Sequence, residues 1–89
     1  MPEPKWIRFA LCPAPPERKT KLWDVIAKDG DTCLGLVAWY GGWRCYTFRP
    51  VPGTEYEPTC LGDIAAFVEA RTLEHRQARN AAREKEPTT

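Results

Sequence analysis

The sequence predicts a small α+β domain: an antiparallel sheet of three to four meandering strands packed on one C-terminal helix. Three observations carry that expectation. Two apolar stretches, 33–40 and 43–49, flank Gly41-Gly42 in the manner of a hairpin. Two further segments of period-two alternation precede them, and the one long stretch of helical periodicity comes last.

The first strand is read over 5–12, where Ile7, Phe9 and Leu11 alternate with Trp6, Arg8 and Ala10. Pro13, Pro15 and Pro16 stop it and stiffen a loop to about Thr20. The second strand is read over 21–28, with Trp23, Val25 and Ala27 on one face and Asp24 and Lys28 on a wetter one. Asp29-Gly30-Asp31 then reads as a hairpin turn, because both central residues tolerate positive φ. If Gly41-Gly42 is a two-residue loop, the next register is set: Tyr40 faces Trp43, Trp39 faces Arg44, and Gly35 faces Phe48. One face of that hairpin carries Val37, Trp39, Arg44, Tyr46 and Phe48; the other carries Leu34, Leu36, Ala38, Tyr40, Trp43 and Cys45. Both faces are too apolar for simple one-sided wetting, so the pattern leaves open which of them meets the helix. After a loop with Pro52-Gly53 as its turn, Thr59 is the expected N-cap, and Asp63 adds favourable charge near the helix start. Leu61, Ile64, Ala65, Phe67, Val68 and Leu73 supply the buried stripe. Beyond about Arg76 the stripe fades, and the helix is expected to project or fray until Pro87 ends it.

At 10.2 kDa the chain is one domain, 1–89, with an ordered core of about 5–76 and a polar helical or frayed tail over 77–89. Such a chain buries only about 60–65% of its unfolded surface, so modest stability is expected. A hydrophobic fraction of 43% with 28% charged residues excludes wholesale disorder, collagen and coiled coil. No apolar run approaches the ~20 residues of a membrane span, and the N-terminus lacks a signal-peptide layout, so a cytoplasmic protein is expected.

Net charge is +1, but it is unevenly spread. Residues 1–21 carry five basic and two acidic residues, 22–58 three and five, and 59–89 five of each. The cluster Arg18-Lys19-Thr20-Lys21 reads first as a solvated loop protecting a strand edge. A phosphate or acidic-partner contact, with Arg49 as a further cation, is the other reading.

Cys12, Cys33, Cys45 and Cys60 form no C-x-x-C pair, and the lone His75 lies in a polar helical stretch. Structural zinc is therefore disfavoured, disulfides lack an oxidising context, and four reduced thiols packing as small hydrophobes are the default. Cys60, near a helix start, has a reactive-thiol reading, with packing against the sheet the stronger one.

Four Trp, three Tyr and three Phe exceed what one helix can bury. An exposed aromatic and arginine patch is therefore expected around Trp39, Tyr40, Trp43, Arg44 and Tyr46.

The stretch Leu34-Gly35, Trp39-Tyr40, Trp43-Arg44, Tyr46, Phe48 and Pro50, followed by a helix, resembles a group of short uncharacterised bacteriophage and prophage proteins. Arg18–Trp23 and Cys60–Phe67 resemble the same group, so the likeness spans about 18–75. It implies phage origin and a role inside the infected bacterium. With no activity assigned to the group, it transfers no catalytic or binding residue.

Function is weighed on these features. An enzyme is not expected: no nucleophile–base pair, phosphate loop or cofactor motif is present, and Asp29-Gly30-Asp31 lacks the remaining ligands of a calcium loop. A protein-binding module, engaging a host or phage protein and in one version inhibiting a bacterial factor, fits the Trp/Tyr/Arg composition of the hairpin tip. Self-association into a homodimer through the same patch is a related reading. The competing class is a single-stranded nucleic-acid module, with Trp39, Arg44 and Tyr46 stacking on bases and Lys19, Lys21, Arg44 and Arg49 following the backbone. Near-zero net charge weighs against it.

Overall fold

The computed structural model describes residues 5–15 and 18–85, with side chains through Ala81. Pro16, Pro87 and the last four residues of the expected tail lie outside the described residues. Four strands, β1 (Ile7–Leu11), β2 (Trp23–Ala27), β3 (Cys33–Tyr40) and β4 (Cys45–Pro50), form an antiparallel sheet in sequential order. One helix, α1 (Pro58–Lys85), follows. The predicted two-layer α+β architecture is the observed one. Among the described residues, no helix is long and apolar enough to cross a membrane.

The ladder registers sort the side chains. Phe9 pairs with Val25, Trp23 with Val37, and Trp39 with Tyr46, so Ile7, Phe9, Trp23, Val25, Val37, Trp39, Tyr46 and Phe48 share the face under α1. The helix thus covers the face bearing Val37 and Tyr46, leaving Leu36, Ala38, Tyr40, Cys45 and Thr47 on the other. Ile7, Val25 and Val37 are fully buried, and Cys60 and Ile64 of α1 close the cluster over them. Phe67 lies between two strands, stacked on Phe9 at 3.8 Å and edge-on to Trp23 at 5.3 Å.

The β2–β3 turn uses positive φ at Gly30 and Asp31, as Asp-Gly chemistry suggests. The β3–β4 turn departs from expectation. Its loop has four residues, Gly41–Arg44, rather than two, and Tyr40 pairs with Cys45. The register is shifted by two positions, so face parity is kept while Trp43 and Arg44 leave the strand. The shift has a physical reason: a two-residue loop would set Arg44 on the core-facing side opposite Trp39. The longer loop removes that charge and brings Tyr46 there instead. Phe48 still lies across Gly35, although the direct partner of Gly35 is Pro50. A Cβ at Gly35 would sit 2.6 Å from the Phe48 ring and 2.5 Å from the Arg49 carbonyl oxygen.

The helix start also differs. Glu57, not Thr59, is the cap: its carboxylate accepts the Cys60 amide at 2.6 Å, and its carbonyl accepts the Leu61 amide at 3.1 Å. Pro58 takes the first helical position, where its missing N–H costs nothing. Asp63 lies beyond the first turn and accepts the Lys5 amide at 3.4 Å.

The buried stripe runs through Cys60, Ile64, Phe67, Val68, Arg71, Thr72 and His75. Leu61, Ala65 and Leu73, assigned inward from their apolarity, are exposed. Thr72 occupies the inward position instead, 7% exposed against 56% for Leu73. Its hydroxyl accepts the Tyr46 amide at 3.0 Å. Because β4 is an edge strand, that N–H points away from β3, and α1 supplies the missing acceptor.

A 28-residue helix is about 42 Å long, while the eight residues of β3 span about 27 Å. The helix therefore outruns the sheet, and residues 76–81 are exposed on every side. The strand directions gather the 18–22 loop, the β3–β4 tip and the distal half of α1 at one end of the molecule. The β2–β3 turn, the 51–57 loop and the helix start lie at the other.

Candidate functional site

The predicted aromatic patch divides into two parts. Tyr40 and Trp43 form an edge-on pair at the β3–β4 tip, ring centroids 5.1 Å apart. Trp43 is 73% exposed and Tyr40 is also exposed. The Tyr40 ring lies over the turn: a Cβ at Gly42 would fall 2.8 Å from the ring tip, so a larger residue there would displace the exposed tyrosine. The loop closes with the Trp43 amide donating to the Tyr40 carbonyl at 3.3 Å and with Arg44 at φ 53°. A left-handed arginine is uncommon and mildly strained.

Tyr46 and Trp39 belong to the other face. Tyr46 is 3% exposed, edge-on to both Trp23 and Trp39 at 5.2 Å. Its hydroxyl accepts the Lys21 amide at 3.1 Å. Tyr46 is a core residue, and the expectation of an exposed contact there is corrected: the alternation that sends Tyr40 outward sends Tyr46 under the helix. Trp39 is half-buried, with His75 tilted against it at 4.4 Å.

Trp39 also walls a cleft of about 400 Å³ between the hairpin tip and the distal half of α1. Arg44, His75, Arg76, Arg79 and Asn80 complete its lining. Arg76 reaches across it, donating to the Arg44 carbonyl at 3.4 Å. His75 is shared with a second recess of about 160 Å³, where Lys19, Lys21, Arg71 and Glu74 surround Trp23 and Tyr46. Arg71 is paired with Glu74 and lies over the Phe67 ring at 4.8 Å. Two of the predicted anion contacts, Lys19 and Lys21, thus meet at this end. Arg18 turns back onto the Thr20 carbonyl at 3.1 Å, and Arg49, paired with Leu36, lies on the sheet's open face.

Arg71, Arg76, Arg79 and Asn80 were not singled out from sequence. Five acids balance five bases over 59–89, and only helical periodicity combined with the sheet's position separates the two signs. A signal was present, since Arg76 and Arg79 sit three apart and share a face with neighbours on the same side.

The thiols are free. Cys60 is buried, and desolvation, then its contact with Glu57, pushes its thiol up. Burial, then the Asp24 carboxylate, pushes Cys12 up as well. Both are protonated at neutral pH, which removes the nucleophilic thiolate that a reactive Cys60 requires.

Comparison with known proteins adds a lineage. No protein-family model matches the chain, and no solved structure does. The uncharacterised 9.3 kDa protein of Acholeplasma phage L2 is 34% identical over 62 residues, covering 70% of this chain and 80% of that protein. Identity at this level across most of both chains requires a shared core, and the chain belongs to the same family of small phage proteins.

Proposed function

We infer that the chain is a small phage binding module that engages a host or phage protein through the tip of the β3–β4 hairpin. The observation that carries this reading is the exposed edge-on pair of Tyr40 and Trp43. A tryptophan 73% exposed is costly to leave in water, and its ring is already oriented by a packed neighbour. Rigid, pre-oriented Trp and Tyr are the side chains that anchor protein interfaces, because little rotamer freedom is lost on binding. The half-buried Leu36, Cys45 and Thr47 continue the same face of the sheet beneath them. Inhibition of a bacterial factor is one use of such a module, acting inside the infected cell.

The test is capture of the tagged chain's partners from nuclease-treated host extract, beside Trp43→Ala, with affinities then measured on the purified pair. A protein retained by the wild type and bound at least about 30-fold more weakly by Trp43→Ala, the equivalent of ~2 kcal/mol, supports the reading. Identical partners and affinities for both proteins would overturn it. A wild-type dimer by light scattering that Trp43→Ala dissociates would assign the patch to a second copy of the chain.

A further inference from the structure

The cleft on the helix side of the tip is separate from the Tyr40–Trp43 pair and has a different chemistry. Its two recesses are lined by Lys19, Lys21, Arg44, Arg71, Arg76 and Arg79, with Glu74 the one acid among the lining residues. Glu74 is taken up by Arg71. At the opposite end acids and bases are mixed: Asp29, Asp31, Glu55, Glu57 and Asp63 lie among Lys5, Arg8, Lys28 and Arg49, with Arg8 paired to Asp31. The net charge of +1 thus conceals a local basic excess in this cleft, and a polyanion meets that local field rather than the average.

We propose that this cleft binds single-stranded nucleic acid, with Arg44, Arg76 and Arg79 on the phosphates and Trp39 as the stacking wall. Three features select this ligand over an acidic peptide. A flat indole lines the cleft beside the arginines, and a base offers a π-face to it that a carboxylate side chain does not. Asn80 adds both a donor and an acceptor at the rim, suited to a base edge. The cations continue from the larger recess past His75 to Lys19 and Lys21, a track for successive phosphates rather than one anion site. A duplex keeps its π-faces stacked inside and leaves Trp39 without a role. The cleft's volume, about 400 Å³, falls within the ordinary range of ligand sites, roughly 300–1,000 Å³.

The proposal is tested by fluorescence anisotropy of a labelled twelve-nucleotide oligo(dT), read from 50 to 200 mM salt, with poly-glutamate as competitor. Three or four neutralised phosphates predict roughly a 20–50-fold loss of affinity over that range, at a slope of about −0.7 per phosphate. Arg76→Ala/Arg79→Ala removes two of them, flattens the slope by about 1.4, and leaves the fold intact because both side chains are solvent-exposed. Trp39→Phe retains an aromatic wall and binding, whereas Trp39→Ala loses about five- to 150-fold if one base stacks there. Arg49→Ala, on the open face, leaves affinity unchanged. Absence of binding at 50 mM salt, or affinity indifferent to Arg76→Ala/Arg79→Ala, would overturn the proposal. So would competition by poly-glutamate as effective as by unlabelled oligonucleotide, which would make the cleft a carboxylate site. Because Trp43 is not in the cleft, failure here leaves the hairpin-tip reading standing, and the reverse.

Discussion

Two aromatic pairs, one a rung of the β3–β4 ladder and one at its tip, share nearly the same geometry. Trp39 and Tyr46 meet edge-on at 5.2 Å; Tyr40 and Trp43 meet edge-on at 5.1 Å. Tyr46 is nonetheless 3% exposed and Trp43 73%. The ring contact alone is worth about 0.5–1.5 kcal/mol in either place. What separates the pairs is position: strand alternation points Tyr46 beneath α1 and Tyr40 to the open face, while the four-residue loop carries Trp43 out of the ladder into water. An aromatic contact therefore says little about role until the covering layer is known.

The sharpest way to break the comparison is to truncate one member of each pair. Tyr46→Ala empties a core position beside Trp23 and Trp39 and strips the Lys21 amide of its acceptor. A loss of about 3–5 kcal/mol in urea unfolding is expected, a large share of what so small a domain possesses. Trp43→Ala is expected to change stability by no more than about 0.5 kcal/mol, with its effect confined to partner affinity. Equal losses from the two substitutions would erase the distinction drawn between them.

A smaller effect sharpens the role of the helix at the sheet edge. Thr72→Val keeps the shape of the side chain but leaves the buried Tyr46 amide unpaired, and about 1–3 kcal/mol of stability is expected to go. Thr72→Ser restores most of it. Amide exchange at Tyr46 should quicken in the valine variant and not in the serine one, since only the former opens the edge of β4.

The smallest effect concerns the cap. The Cys60 amide donates to the Glu57 carboxylate and holds it below the ordinary glutamate range. A carboxyl lowered in the folded state contributes stability that is fully present above its unfolded value and is lost as pH falls through its folded one. Wild type should therefore melt slightly above Glu57→Gln at neutral pH, and the gap should close on acidification. A gap that persists at low pH would place the carboxylate's contribution elsewhere.

Much of this architecture was legible in the chain. Alternation in 7–11 and 23–27, Asp-Gly at a positive-φ turn and helical spacing after Pro58 each act locally, so single-sequence patterns report them. The hairpin register was not, because Gly41-Gly42 satisfies a two-residue turn as readily as a four-residue one. Only the cost of turning Arg44 toward the core decides between them. Leu73 was expected inward for a related reason: apolarity ranks leucine inward, while the orphan amide of an edge strand demands the hydroxyl of Thr72, which the pattern did not single out. Of the candidate site, Tyr40, Trp43 and Arg44 are exposed at the tip as their composition suggested, whereas Tyr46 is core.

By itself, the sequence determined the elements and the faces of the strands, since backbone sterics and side-chain alternation act over a few residues. The tertiary structure decided which face α1 covers, which aromatics stay in water, and where the charges converge. Those depend on a helix longer than the sheet it covers. Its overhang sets Arg76 and Arg79 beside Arg44, more than thirty positions away in the chain, to form a basic cleft in a protein of net charge +1.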